Sequence, residues 1–250
     1  MLSPQMLVFA CVVGVVAGFV KGAVGFAMPM IMISGLGSFL APDVALAALI
    51  VPTVVSNLWQ ASRGGLAATV LAMRQFGLYL AIVLVFIGFS AQLVTLLPGQ
   101  VLLLFLGVPV TLFAASQLLG WQLRFRPENR RRVEVITASV AGFIGGVSGV
   151  WGPPTVAFLT ALETPKADQM RIQGVVYGLG AVVLFGAHLR SGILNAETMP
   201  LSIAMVLPAL AGMAVGFRAG DRMDQQKFRR ATLAVLVVAG LNLVRRGLMG

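Results

Sequence analysis

Cysteine is all but missing from this chain of 250 residues: Cys11 stands alone, so no intrachain disulfide can form. Histidine is equally scarce, with His188 as the single example. Charge is thin, with 10% of residues charged and only 8 of them acidic. A soluble domain carries roughly 25% charged residues. A surface so poor in charge would not stay dispersed in water, which excludes a soluble globular fold. Disorder is excluded from the other side, because 58% of the residues are hydrophobic.

The same scarcity narrows the chemistry. Enzymes need paired carboxylates, a metal cluster of His, Cys, Asp or Glu, or an activated nucleophile. Here Asp43, Glu134, Glu163 and Asp168 all lie near the ends of apolar runs, and no phosphate-binding P-loop pattern occurs. The chain therefore reads as a non-enzyme with no catalytic residue, metal ligand or cofactor. Lys and Arg number 18. Such an excess can signal nucleic acid, but in so apolar a chain, of mean hydropathy +0.95, it reports topology, because basic residues collect in cytoplasmic loops. No Lys or Arg precedes the apolar run at 1–20, which argues against a removable signal peptide.

What is abundant is membrane-spanning sequence. A helix crosses the bilayer with about 20 mostly apolar residues. Stretches 44–60, 76–97, 100–121, 172–188 and 199–217 meet that pattern, and 231–244 makes a shorter sixth between basic pairs that can snorkel. Two further apolar stretches are interrupted. Residues 5–40 contain Lys21-Gly22-Ala23-Val24-Gly25 and then Pro29; residues 135–162 contain the run from Gly145 and Gly146 through Ser148, Gly149, Trp151 and Gly152 to Pro153 and Pro154. Glycine costs about 1 kcal/mol and proline about 3 kcal/mol inside a helix. Each stretch is expected to be two short helices joined by irregular chain, as a re-entrant hairpin or as two short crossings.

The interrupted stretches are copies of one another. Ala17-Gly18-Phe19-Val20 aligns with Ala141-Gly142-Phe143-Ile144 without a gap, and the same frame sets Gly22 on Gly146, Gly25 on Gly149 and Pro29 on Pro153. The chain divides into a first membrane repeat, 1–123, and a second, 124–250. Counting basic residues orients them. With Arg124, Arg126, Arg130, Arg131 and Arg132 in the cytoplasm, a single crossing by each broken stretch leaves 10 basic residues inside and 7 outside; a return to the starting side leaves 15 inside and 3 outside. The second count makes the repeats inverted, with both termini outward. The expected fold is an all-α polytopic membrane protein of two inverted-topology repeats, each a broken helical pair plus three long transmembrane helices.

Corresponding glycine- and proline-interrupted segments point to a transporter's binding site. No carboxylate lies deep in a span, so a cation would lack a counter-charge. An anion would find helix N-termini beginning near Phe26 and near Pro153, each worth about half a positive charge, and glycine backbone amides beside them. Candidate substrate-binding residues are Lys21, Gly22, Gly25, Pro29, Gly145, Gly146, Ser148, Gly149, Trp151, Gly152 and Pro153, joined by Asn57, Gln173 and Tyr177 from apolar spans. Each has a plainer reading. Lys21 can snorkel to the interface, the glycines can serve close packing, Trp151 can anchor at the headgroups, and Asn57 with Gln60 can be helix-to-helix glue.

The segments Gly18-x-x-Lys21-Gly22-x-x-Gly25-x-x-x-Pro29 and Gly142-x-x-Gly145-Gly146-x-x-Gly149-x-x-Gly152-Pro153-Pro154 resemble the TauE/SafE family of sulfite exporters over the whole chain. Lys21 and Trp151 stand where small residues are commoner. The resemblance implies a permease of the bacterial inner membrane that moves sulfur oxyanions, sulfonates or small carboxylates. The expected function is secondary transport of a small anion by alternating access, against the alternative of a passive anion channel or a non-transporting assembly subunit. Expected partners are the anion, a coupling proton or sodium ion, the lipid bilayer and a second copy of the chain; no nucleic acid is expected.

Overall fold

The computed structural model describes residues 3–90, 99–120, 129–148 and 152–249. The described chain is helical throughout, in the order α1 (Pro4–Val24), α2 (Met28–Leu36), α3 (Pro42–Ser62), α4 (Leu66–Gln75), α5 (Gly77–Ser90), α6 (Gly99–Leu118), α7 (Arg130–Ser148), α8 (Gly152–Ala161), α9 (Lys166–Arg190), α10 (Met199–Ala204), α11 (Val206–Arg222) and α12 (Gln225–Met249). Five helical spans are long and apolar enough to cross a bilayer, six with the pair α4–α5, which is bent by 75°. The bend coincides with Phe76-Gly77, where glycine weakens the helix.

Both expected interruptions fall between helices, but later than the glycines alone suggest. Lys21, Gly22, Ala23 and Val24 remain in the last turn of α1, and the chain leaves the helix at Gly25. Its φ of +89° is the left-handed cap that only glycine takes without cost. Ala27 follows at φ +74°, a conformation costing a non-glycine residue roughly 1–2 kcal/mol. Gly145, Gly146 and Ser148 likewise stay within α7, and Gly152, Pro153 and Pro154 already open α8. Gly149 and Trp151 lie outside the described residues. The expectation of two short arms is corrected in the same way: α1 is 21 residues long and only α2, at 9 residues, is short. The stretch read as 231–244 is a helix of 25 residues, because its flanking arginines continue the helix rather than ending it.

The repeat frame reappears in the helix boundaries. α1 ends at Val24 where α7 ends at Ser148, α2 begins at Met28 where α8 begins at Gly152, and α3 begins at Pro42 where α9 begins at Lys166.

The compact units cut across the two halves of the sequence. Unit 1 comprises Met1–Leu66 with Gln173–Asp224, and unit 2 comprises Ala67–Ile172 with Gln225–Gly250. In unit 1, α1 packs on α11. Gly14, Gly18 and Gly22 of α1 meet Gly212, Gly216 and Gly220 of α11 through a shared face of small residues. A Cβ at Gly18 would lie 1.9 Å from the carbonyl oxygen of Ala209, and one at Gly216 would lie 2.1 Å from that of Phe19. Backbone meets backbone here, the close approach that small residues four apart permit between membrane helices. Successive contacts advance together along both helices, so α1 and α11 run parallel. Unit 2 holds the matching contact of α5 with α7, where a Cβ at Gly142, the partner of Gly18 in the repeat frame, would lie 2.6 Å from the Val83 carbonyl oxygen.

Two further helix pairs also touch. Gly174 and Gly178 of α9 face Ala61 and Asn57 of α3 within unit 1, in antiparallel order. Within unit 2, Gly107 and Gly247 likewise order α6 and α12 antiparallel. The core of unit 1 gathers Ala10, Ala17, Met28, Met32, Leu36, Ala48, Met205 and Ala209. Ser202 of α10 accepts the Val51 amide at 3.1 Å, just ahead of Pro52 inside α3.

Candidate functional site

The polar residues of unit 1 converge where α1 ends. Lys21 lies in the last turn of α1, on the carbonyl end of the helix dipole, where a cation is favoured. Its side chain does not snorkel outward: it is 1% exposed. Its ammonium donates to Asn57 Oδ1 on α3 and lies 5.9 Å from the centroid of the Tyr177 ring on α9. Asn57, at 1% exposure, and Tyr177 are buried with it. Among the described residues no carboxylate pairs with Lys21.

Two glutamines complete the cluster from the backbone side. In a continuous helix the Gly25 carbonyl would receive the amide of residue 29, but Pro29 has none. Gln60 Nε2 donates to that carbonyl at 3.0 Å instead. Gln173, with its amide turned so that nitrogen faces the break, donates to the carbonyls of Gly25 at 3.1 Å and Val24 at 3.2 Å. Both lone pairs of the Gly25 oxygen are thereby used. Gln60 and Gln173 are buried.

The structure therefore gathers Lys21, Asn57, Gln173, Tyr177 and the carbonyl of Gly25. Gly22 instead packs on α11, where its Cβ would lie 2.3 Å from the Met213 carbonyl oxygen. Pro29 sits in the first turn of α2 and acts by withholding an amide. The side chains at the first break meet carbonyl oxygens, which alters the expectation of open amides there. Gln60, read from sequence with Asn57, proves to be the residue that holds the Gly25 carbonyl. Its signal was the i, i+3 spacing of two amides at the end of an apolar span.

Toward the same end of unit 1, Arg63 pairs with Asp221 and lies 4.1 Å from the centroid of the Phe217 ring, which Trp59 meets edge-on at 5.1 Å. These groups are half-exposed, so the pair is worth about 0–1 kcal/mol.

Unit 2 carries Gly145, Gly146, Ser148, Gly152 and Pro153 at the ends of α7 and α8. Among its described buried polar contacts, Tyr79 Oη donates to Thr155 Oγ1 at 3.0 Å, with the Tyr79 ring stacked on Phe158 at 5.1 Å, and Ser90 donates to the Gly142 carbonyl at 3.3 Å. Arg229 of α12 donates to Gln117 and lies 3.8 Å from Glu163.

Comparison with known proteins gives one family. The family described as Sulfite exporter TauE/SafE matches residues 10–243. No curated protein and no solved structure matches the chain. Its apolar crossing helices make it a multi-pass membrane protein, and the family's work is anion transport across the membrane rather than catalysis. With nearly its whole length matched, the chain belongs to the TauE/SafE family of sulfite exporters.

Proposed function

We propose that the chain is a secondary transporter of small anions, sulfur oxyanions, sulfonates or short carboxylates, and that Lys21 is the charge the anion meets. The carrying observation is a lysine ammonium buried to 1% exposure with an amide oxygen and an aromatic face beside it, and no paired carboxylate among the described residues. An uncompensated charge within a membrane helix is costly and marks a functional site. Asn57 orients the ammonium and Tyr177 walls it, while Gln60 and Gln173 hold the chain open at Gly25. An anion supplies the missing counter-charge.

Several features support an inverted repeat working by alternating access. Corresponding helices run antiparallel where they touch, α3 with α9 and α6 with α12, as a two-fold axis in the membrane plane requires. Both repeats break at the same positions. We place the protein in a bacterial inner membrane with residues 124–132 on the cytoplasmic side, the arrangement favoured by the basic residues. The repeat boundaries near residue 123, a coupling proton or sodium ion and a homodimer belong to the same reading.

Sulfite flux into proteoliposomes tests it. The wild-type protein gives saturable, gradient-driven uptake. Lys21→Gln lowers sulfite affinity roughly 10–100-fold, the equivalent of about 1.5–3 kcal/mol for a charge-assisted hydrogen bond. Equal uptake by wild type and variant removes Lys21 from the site, and non-saturable flux makes the protein a pore.

A further inference from the structure

We propose that Gln60 and Gln173 set the sign of the charge the unit 1 site accepts, by covering the carbonyl end of α1. This rests on the reading of Lys21 as the anion-binding group and adds the residues that make such a site tolerable. A helix ends in carbonyl groups equivalent to about half a negative charge. Where a membrane helix unwinds, those carbonyls are the groups that coordinate sodium in other transport sites. At Gly25 the helix stops with its next amide donor replaced by Pro29, so the break would present bare oxygens beside Lys21 and repel an anion.

Three amide hydrogen bonds prevent this. Gln60 gives one to Gly25, and Gln173 gives one each to Gly25 and Val24, at 3.0, 3.1 and 3.2 Å. Both glutamines are almost wholly buried, at 2% and 0% exposure. They come from different helices, α3 and α9, and converge on one turn of backbone. A glutamine serving only as glue would be equally served by any partner. Here these three hydrogen bonds go to the oxygens that the interruption frees. With those oxygens neutralised, Lys21 supplies the net field at the break and the site favours anions. Gln60 and Gln173 are thus positioning residues that act through the backbone.

The test separates this role from simple packing. Gln60→Met and Gln173→Met keep length and remove the donors. The melting temperature of each purified variant is measured in sodium chloride and in an equal concentration of N-methylglucamine chloride, and sulfite binding is measured alongside. Each variant is expected to gain a larger sodium-specific stabilisation than the wild type shows, and to bind sulfite roughly tenfold more weakly, about 1.4 kcal/mol. Gln60→Glu and Gln173→Glu, which keep the shape but set a carboxylate acceptor against the carbonyl oxygens in place of the donor, are expected to show a larger sodium response and serve if a methionine variant does not fold. A merely structural role lowers the melting temperature equally in both salts, and an absent sodium response in the folded variants overturns the proposal. Sulfite binding by Lys21→Gln at the wild-type level defeats the anion-site reading instead, and the sodium readout still decides the role of the glutamines.

Discussion

The polar residues gathered at the end of α1 have no counterparts of the same kind in the sequence frame around α7. In the frame that aligns α1 with α7, Lys21 falls on Gly145, Asn57 on Ala181 and Gln60 on Leu184, while Gln173 and Tyr177 fall on Leu49 and Thr53. Unit 1 buries an ammonium, three amides and a phenol ring around one turn; the described polar contacts of unit 2 include the buried hydroxyls of Tyr79, Thr155 and Ser90 and the Gln117 amide that accepts from Arg229. A backbone break is a scaffold, and the side chains around it decide what it meets.

The sharpest way to break this comparison is to attack the part that is shared. Gly18→Leu in unit 1 forces a side chain into the Ala209 carbonyl and should cost at least about 3 kcal/mol, the upper end of overpacking, with loss of folded protein on size-exclusion chromatography. Gly142→Leu should do the same in unit 2. Gly88→Ala, with nothing within 4 Å of the added methyl, should leave the melting temperature unchanged or raised.

The next contrast concerns what is not shared. Lys21→Met should abolish sulfite uptake while the protein stays folded, its melting temperature shifted only by the balance between removing a buried charge and leaving Asn57 Oδ1 without its donor, about 1–3 kcal/mol. Tyr79→Phe in unit 2 should reverse that pattern, costing about 1 kcal/mol of stability for its hydrogen bond to Thr155 and leaving uptake intact. A variant that moved both properties in both units would erase the distinction. Smaller still, Ala27→Gly should raise stability by about 1 kcal/mol in thermal unfolding, by relieving a left-handed residue. Smallest is Arg63→Ala, which removes a half-exposed ion pair and its contact with Phe217 and should cost under about 1 kcal/mol.

Hydropathy made the spans legible, and the glycines and prolines marked the stretches where helices end, because both are properties of local sequence. The exact edge of the first break was not. Gly22 reads as a helix breaker, yet it lies on the face that α11 covers, and tertiary packing overrides its propensity. Helix α4 and the full length of α12 escaped because their polar and basic residues resemble loop sequence although the chain continues helical. Polar residues inside apolar spans drew the reading to Asn57, Gln173 and Tyr177, since such residues face protein or water rather than lipid, and all three are buried. Their meeting at Lys21 and Gly25 joins three helices distant in sequence, which no local pattern encodes.

The pairing of α1 with α11 has a consequence for how the protein is made. The opening helix emerges from the ribosome with its glycine face complete, but the helix that covers it follows about 190 residues later, roughly 10–40 s at ordinary rates of translation. Throughout that interval a strip of nearly bare backbone waits in lipid. Assembly of unit 1 is therefore post-insertional and the nascent chain must be kept from pairing that strip with itself or with a neighbour, so slowing the completion of the C-terminal third should harm this protein more than slowing its start.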